Sequence, residues 1–257
     1  MEAHVAAQQC ENPVQEDQER AALSDMKTPA KWILRQFRFA IIGKYVDLTQ
    51  RSMRVLDVGC GRSSPALTMQ EIADCEYHSI DLMSPEEALS VNGAKASQYY
   101  RQIDLEKDGL RPLAELQFDV IILCHVIEHL DNGLEIVEEA ARRLTPGGVL
   151  FVEYPRLQSV NFPSMEGTLN FWDDPTHKSF YSLVDIANIM ARARLTVREA
   201  KVRRFWRRIL LFPFGVAYTL VAKGKFRAGN FWDLFGFSEY AIGIRGPQGS
   251  GDEKLSH

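Results

Sequence analysis

Two glycines, three aspartates and three histidines carry most of the chemistry this sequence can offer. Gly59 and Gly61 lie in VLDVGCGRSSPAL, residues 55–67, between an apolar β-branched run and a segment that can start a helix after Pro65. They therefore occupy a strand-to-helix bend. Glycine there reaches dihedrals closed to other residues and brings bare backbone N–H groups close to a ligand. A dinucleotide site would want a third glycine where this chain has Ser64. Asp57, two residues before the first glycine, would repel phosphate but suits an ammonium group. A ligand with an amino acid head and a ribose, lacking phosphates, fits these residues better than a dinucleotide.

The histidines fall in two places. His125 and His129 are four apart in HVIEH, and His177 lies in NFWDDPTHKSFYS, residues 170–182. Histidine exchanges protons near neutral pH, so each is a candidate for removing a proton from a hydroxyl or amine. Beginning at a strand tip, His125 and His129 could lie on one helical face. HVIEH also equals the H-x-x-E-H string of inverted zinc peptidases. That motif needs a helical context and a distant carboxylate ligand, whereas here it follows a buried strand, so the match is discounted.

The elements that must position these groups alternate. Strand RVLDV, a helix after Pro65, strand YHSIDL, a helix near PEEALSV, and strands YYRQIDL and FDVIILC come first. Helix GLEIVEEAARRL, strand VLFVEYP, helix YSLVDIANIMARA introduced by Ser182 as N-cap, strand LTVREAKV and strand EYAIGIRG follow. Apolar strands separated by helices predict an α/β fold with a doubly wound, mostly parallel sheet covered on both faces. Trp32, Ile33, Phe37, Ile41 and Tyr45 recur near helical spacing, which predicts a helix before the first strand.

S-adenosylmethionine has the amino acid head and ribose that the bend calls for, and the D-x-G-x-G turn resembles motif I of the class I, Rossmann-like methyltransferases. FDVIILCHVIEHL resembles motif IV of that family, with Cys124 and His125 at the mouth of the central strand, and RLTPGGVLFVEYP resembles its fifth strand and preceding turn. The resemblance covers roughly residues 50–200. It implies seven strands in the order 3-2-1-4-5-7-6 with the last strand antiparallel. It implies a cofactor site at Asp57, Gly59, Cys60 and Gly61, with Asp81 and Leu82 at the ribose, Asp104 and Leu105 at the adenine, and Cys124 and His125 beside them. Ubiquinone-type O-methyltransferases resemble this chain near HVIEH and place there an acid-x-x-Glu-His set that engages a divalent cation. Here His125 replaces the acid of the His125, Glu128, His129 set, and no metal is assigned. D-P-T-H-x-x-F-Y-S resembles the segment closing the acceptor pocket of small-molecule methyltransferases. His177 is then the first candidate general base, ahead of His125 and His129, with Trp172 and Tyr181 shaping the acceptor wall. The implied activity is methyl transfer to a small or lipid-linked acceptor, at oxygen by resemblance. A catalytically idle scaffold of this fold and a nicotinamide-dependent oxidoreductase are the alternatives.

The chain has 257 residues with 46% hydrophobic and 25% charged, enough to bury a sizeable core. A net charge of −4 argues against a nucleic-acid partner. Cys10, Cys60, Cys75 and Cys124 have no metal-ligand spacing and read as free thiols of a cytoplasmic protein. Residues 1–26 are expected to form a polar disordered tail, 27–247 a single domain with an insertion at 203–238, and 248–257 a second disordered tail. Between Glu199 and Asp233 there is no acid, and two basic clusters flank ILLFPFGVAYTLVA. Fourteen apolar residues are too few to span a bilayer. The stretch 203–227 is either a lid over the acceptor pocket or a peripheral contact with the inner face of a membrane, or one device serving both.

Overall fold

Strand order β3-β2-β1-β4-β5-β7-β6 makes a single seven-stranded sheet. The strands are β1 (Arg54–Val58), β2 (Glu76–Asp81), β3 (Tyr99–Gln102), β4 (Phe118–Cys124), β5 (Leu144–Pro155), β6 (Leu195–Val202) and β7 (Ser238–Arg245). β1 pairs in parallel with β2 and β4, β2 with β3, and β4 with β5, while β7 runs antiparallel to β5 and β6. This is the order and the antiparallel last strand that the family resemblance implies. The computed structural model describes residues 36–247 except 51, 63, 73 and 89–98, so the two predicted tails, Cys10, Trp32 and Ile33 lie outside the described residues.

Burial on both faces explains why the central strands are continuous apolar runs. Leu56, Val58, Ile121, Leu123, Leu150 and Val152 pack on one face against α4 (Gly133–Arg142) and α5 (Leu183–Arg192). Val55, Val120, Ile122, Val149 and Phe151 pack on the other against α1 (Phe37–Ile42). Strand alternation places Asp57 on the α1 face with Val55, against Tyr77 of β2. α2 (Ser64–Glu71) follows the glycine bend, and the four-residue α3 (Leu105–Asp108) follows β3.

Three elements differ from the expectation. α1 stops at Ile42, because at Gly43 the bonding tightens to Lys44 N–Ile41 O and Tyr45 N–Ile42 O, and Tyr45 leaves the helix to donate to Glu199. β5 begins at Leu144, with Thr145–Gly148 forming an outward loop between the Phe118–Leu144 and Val120–Val149 pairs, so the Pro-Gly-Gly bend is a bulge inside a long strand. The apolar and basic stretch forms an 18-residue helix, α6 (Trp206–Lys223), followed by α7 (Trp232–Phe235), before the chain re-enters the sheet as β7. A small core of Leu169, Ala228 and Phe237, with Phe231 and Trp232 against it, joins this excursion to the loop after β5.

Candidate active site

Parallel pairing brings the ends of β1, β2 and β4 to one edge of the sheet, the carboxyl edge, where α/β folds bind ligands. Gly59 has φ +63° and a Cβ there would lie 2.5 Å from Val126 Cγ2, so no other residue fits without shifting Val126. Gly61 has φ +54° and nothing within 4 Å of a Cβ position, leaving bare backbone facing open space. The bend's N–H groups are nevertheless tied down. Gly59 N and Cys60 N donate to Ile80 O at 2.8 and 3.1 Å, and Gly61 N donates to Asp81 Oδ2 at 2.8 Å. They brace the bend against β2 and are not free for a ligand, contrary to the expectation.

One oxygen of Asp57 is also held from within the protein. Asp57 is buried, and its Oδ2 accepts from the Ser64 hydroxyl, from Tyr77 OH at 2.8 Å and from Thr68 Oγ1 at 3.3 Å. Three hydroxyls converge on that one oxygen beneath the bend, because the strand position of Asp57 points it at the α1 face, and they leave Oδ1 to accept elsewhere. Facing it is a residue the sequence reading missed. Arg38 of α1 is 9% exposed, and its Nε and Nη2 have no hydrogen-bond partner. Burial works against its charge, but the Asp57 carboxylate, with smaller help from Cys124 and Tyr77, raises its pKa above the ordinary value. A buried guanidinium with two unmatched donors calls for an anion. The carboxylate of a methionine-type head meets that need, which is the fit between these residues and the cofactor. A cation four residues before the end of an otherwise apolar helix was the available signal.

Asp81 is half-buried at the end of β2, accepting from Gly61 N and, on Oδ1, from Met83 N at 3.1 Å. Each oxygen keeps a lone pair for a ribose hydroxyl. Leu82 beside it is 66% exposed, an apolar surface at the same edge. Asp104 caps α3: Oδ1 accepts from Glu106 N at 3.1 Å and Lys107 N at 3.3 Å, and Oδ2 from Lys107 Nζ at 2.6 Å. Oδ2 thus accepts from a single donor and keeps a lone pair, as each Asp81 oxygen does, while the neighbouring Leu105 is buried in the core. Burial, with the carboxylates of Asp57 and Asp81, pushes the Cys60 thiol far up, and burial with Glu153 does the same for Cys124. Both are inert fillers.

Beyond β4 the chain turns sharply at His125, which has φ +56°. Its Nδ1 lies 3.1 Å from Glu128 Oε1 and its Nε2 3.4 Å from Glu153 Oε1. Burial lowers its pKa, but the hydrogen bonds and charges of Glu128 and Glu153 outweigh that and raise it to about 9. Both ring nitrogens are thus engaged by neighbours that favour the protonated ring, Nδ1 by Glu128 and Nε2 by Glu153 and the Ser238 hydroxyl, so neither is turned toward a cation shared with Glu128 and His129.

His129 and His177 are arranged differently. Lys178 N and Ser179 N donate to Glu128 O at 2.8 and 3.1 Å, clamping the loop after residue 170 onto the turn Ile127–His129. His177 is buried with Nδ1 2.7 Å from Phe171 O, and a carbonyl only accepts, so Nδ1 carries the proton and Nε2 presents a lone pair. Burial lowers its pKa, keeping the ring neutral. His129 Nδ1 meets Thr176 Oγ1 at 2.8 Å, and that hydroxyl donates onward to Asp174 Oδ1 at 2.6 Å, which directs the Nδ1 proton of His129 to Thr176. The two rings are 4.8 Å apart. One ligand atom each from Glu128, His129 and His177 lie within 4.8 Å of one another, and Glu128 Oε2 is buried without a partner. A carboxylate and two imidazoles so placed have the donor chemistry of a divalent-cation site. Tyr181 is a correction: it is buried in the core with its hydroxyl on Leu130 O, while Trp172 is exposed beside Phe171.

Arg203, in the basic cluster before ILLFPFGVAYTLVA, is buried, donating to Glu153 at 2.5 Å and to Asp233 at 3.1 Å, with Arg208 3.6 Å from the same Asp233. Burial raises the Glu153 pKa, but Arg203 first and His125 next bring it down to about 2. The pair fastens the foot of the excursion to β5, and Trp232 stands 5.1 Å from the His125 ring.

A family model described as a methyltransferase domain matches residues 28–200. The chain belongs to the S-adenosylmethionine-dependent methyltransferase family. It is 35% identical over 101 residues to a ubiquinone biosynthesis O-methyltransferase of Idiomarina loihiensis, covering 38% of this chain and 40% of that protein. It is 30% identical over 128 residues to a malonyl-[acyl-carrier protein] O-methyltransferase of Enterobacter lignolyticus, covering 50% and 48%. This methyltransferase-family chain thus matches less than half the length of either relative. An O-methyltransferase family protein from Burkholderia thailandensis superposes with a TM-score of 0.55 at 16% identity, covering 92% of this chain and 62% of that one, a likeness of fold.

Proposed function

We propose that this methyltransferase moves a methyl group onto a hydroxyl oxygen of a small or lipid-linked acceptor, with His177 as the proton acceptor. The observation that carries the reading is the His177 ring, whose pKa burial lowers, with its Nδ1 proton pinned to Phe171 O, its Nε2 4.0 Å from Asp174 Oδ2 and one of its ring nitrogens within 4.8 Å of ligand atoms of His129 and Glu128. A positioned base of this kind contributes when a hydroxyl must lose its proton as it attacks. When bound, the cofactor supplies a methyl already activated on a sulfonium, so the chain's work is to hold, orient and deprotonate. Arg38 holds the amino acid carboxylate, Asp81 the ribose, Leu82 covers the base, and the braced Gly59–Gly61 bend keeps them in register. His125, held as a cation, fixes the turn that carries Glu128 and His129. Oxygen is the acceptor atom in both named relatives, which supports oxygen here.

The test is transfer of labelled methyl from S-adenosylmethionine to a panel of catechols, soluble and prenylated, with and without EDTA. Label on an acceptor hydroxyl is expected, and His177→Gln should lower kcat by roughly 100- to 10,000-fold while S-adenosylhomocysteine affinity holds. Loss of rate in EDTA, restored by a divalent cation, would move the role from the free imidazole to an ion at Glu128, His129 and His177. Cofactor binding without transfer to any acceptor would favour the idle scaffold.

A further inference from the structure

Helix α6 wears its apolar surface on the outside. On its inner side Phe212 packs on Phe231 with ring centroids 5.1 Å apart, and Thr219 accepts from Asn230 Nδ2 at 2.9 Å. At 100° per residue, Trp206, Leu210, Phe214, Tyr218 and Val221 line the opposite side. All five are exposed, Phe214 by 73% and Val221 by 89%. A helix of a protein surrounded only by water turns such a stripe inward. The stretch 203–237 that contains it carries seven Lys or Arg residues and a single acid, Asp233. The cations gather at the two ends, Arg204, Arg207 and Arg208 before the stripe and Lys223, Lys225 and Arg227 after it, with Arg208 3.6 Å from Asp233 and Lys225 2.5 Å from Glu166.

We propose that the outer face of α6 docks in the plane of an anionic lipid bilayer, its aromatic and aliphatic side chains entering the interface while the flanking cations meet the headgroups. No helix among the described residues is long and apolar enough to cross a membrane, and 18 residues extend only about 27 Å with cations at both ends, so the helix lies along the surface. Charge complementarity selects lipid over a second copy of the chain. Pairing two such faces would bring cation-rich ends against each other, whereas anionic headgroups oppose them at every point. Beneath α6, the turn after it and α7 rest on the loop that follows β5, and Trp232 reaches the His125 ring. The segment that follows α6 therefore reaches the turn that carries His125. Docking itself does not depend on the methyl-transfer reading.

Co-sedimentation of the full chain with vesicles tests this directly. The chain should pellet with phosphatidylcholine vesicles containing phosphatidylglycerol, less with phosphatidylcholine alone, and less again as salt is raised. Leu210→Glu combined with Phe214→Glu should lower the partition at least about tenfold, since each apolar side chain lost from the interface is worth roughly one such factor. Both sites face solvent, so an unchanged urea midpoint and S-adenosylhomocysteine affinity should show the variant folded. Failure of the intact chain to pellet with either vesicle would overturn the proposal, as would equal pelleting by a folded double variant. So would a concentration-dependent dimer that the double substitution abolishes while vesicles go unbound.

Discussion

Arg38 and Arg203 are both buried at the carboxyl edge of one sheet, and they live in opposite circumstances. Arg203 spends its donors on Glu153 and Asp233, whereas Arg38 faces a carboxylate with one oxygen already claimed by three hydroxyls and has Nε and Nη2 unmatched. A saturated buried charge is a clamp within the protein. An unsaturated one has donors to spare for a contact from outside. The contrast separates a region that holds its own chain from the edge proposed to hold the cofactor.

The largest expected effect tests the clamp. Arg203→Met strands two buried carboxylates and should cost about 3–5 kcal/mol of stability, read as a lower urea midpoint. Arg38→Met removes a charge with no full set of partners, so its midpoint should hold or rise. Calorimetry should instead find S-adenosylhomocysteine binding weakened by about 1.5–3 kcal/mol, the worth of a hydrogen bond to a charged group. Equal behaviour of the two variants would erase the distinction. Gly59→Ala should cost about 1–3 kcal/mol in thermal unfolding, through positive φ and the Val126 contact.

The smallest effect is a pH response of the clamp region. His125 faces Glu128 and Glu153, with Arg203 and Asp233 beyond, and its pKa rises from 6.5 to about 9 on folding. A raised pKa gives stability that is complete below 6.5 and lost as pH climbs through about 9. Between pH 7 and 8 the loss should be about 1 kcal/mol and should vanish in His125→Gln. Glu153 and Glu199, both lowered to about 2, act in the opposite sense, and their contribution is lost as pH falls from 4.5 through 2.

The local signals of the fold were legible: a glycine's need for positive φ, a carboxylate closing a strand and the alternation of apolar strands with helices each show within a few residues of sequence, while the strand order is the one the family resemblance implies. Direction along a strand was less visible, which is why Asp57 turned out to brace the bend from beneath. The clamp region was illegible for the same reason that it is stable. Arg203, Glu153 and Asp233 come from three separate parts of the chain, and only the fold shows that Arg203 among seven neighbouring cations is buried. His177 stood out through its loop, but its neutral, oriented state depends on Phe171 O, and Tyr181, four residues on, belongs to the core.

Isothermal titration of the intact chain with S-adenosylhomocysteine tests most directly whether the β1, β2 and β4 edge receives a nucleoside carrying an amino acid head. One ligand per chain should bind, with affinity falling in both Arg38→Met and Asp81→Asn and holding in His177→Gln. Folded protein that takes up no ligand, or binds it undiminished after both edge substitutions, would contradict the account.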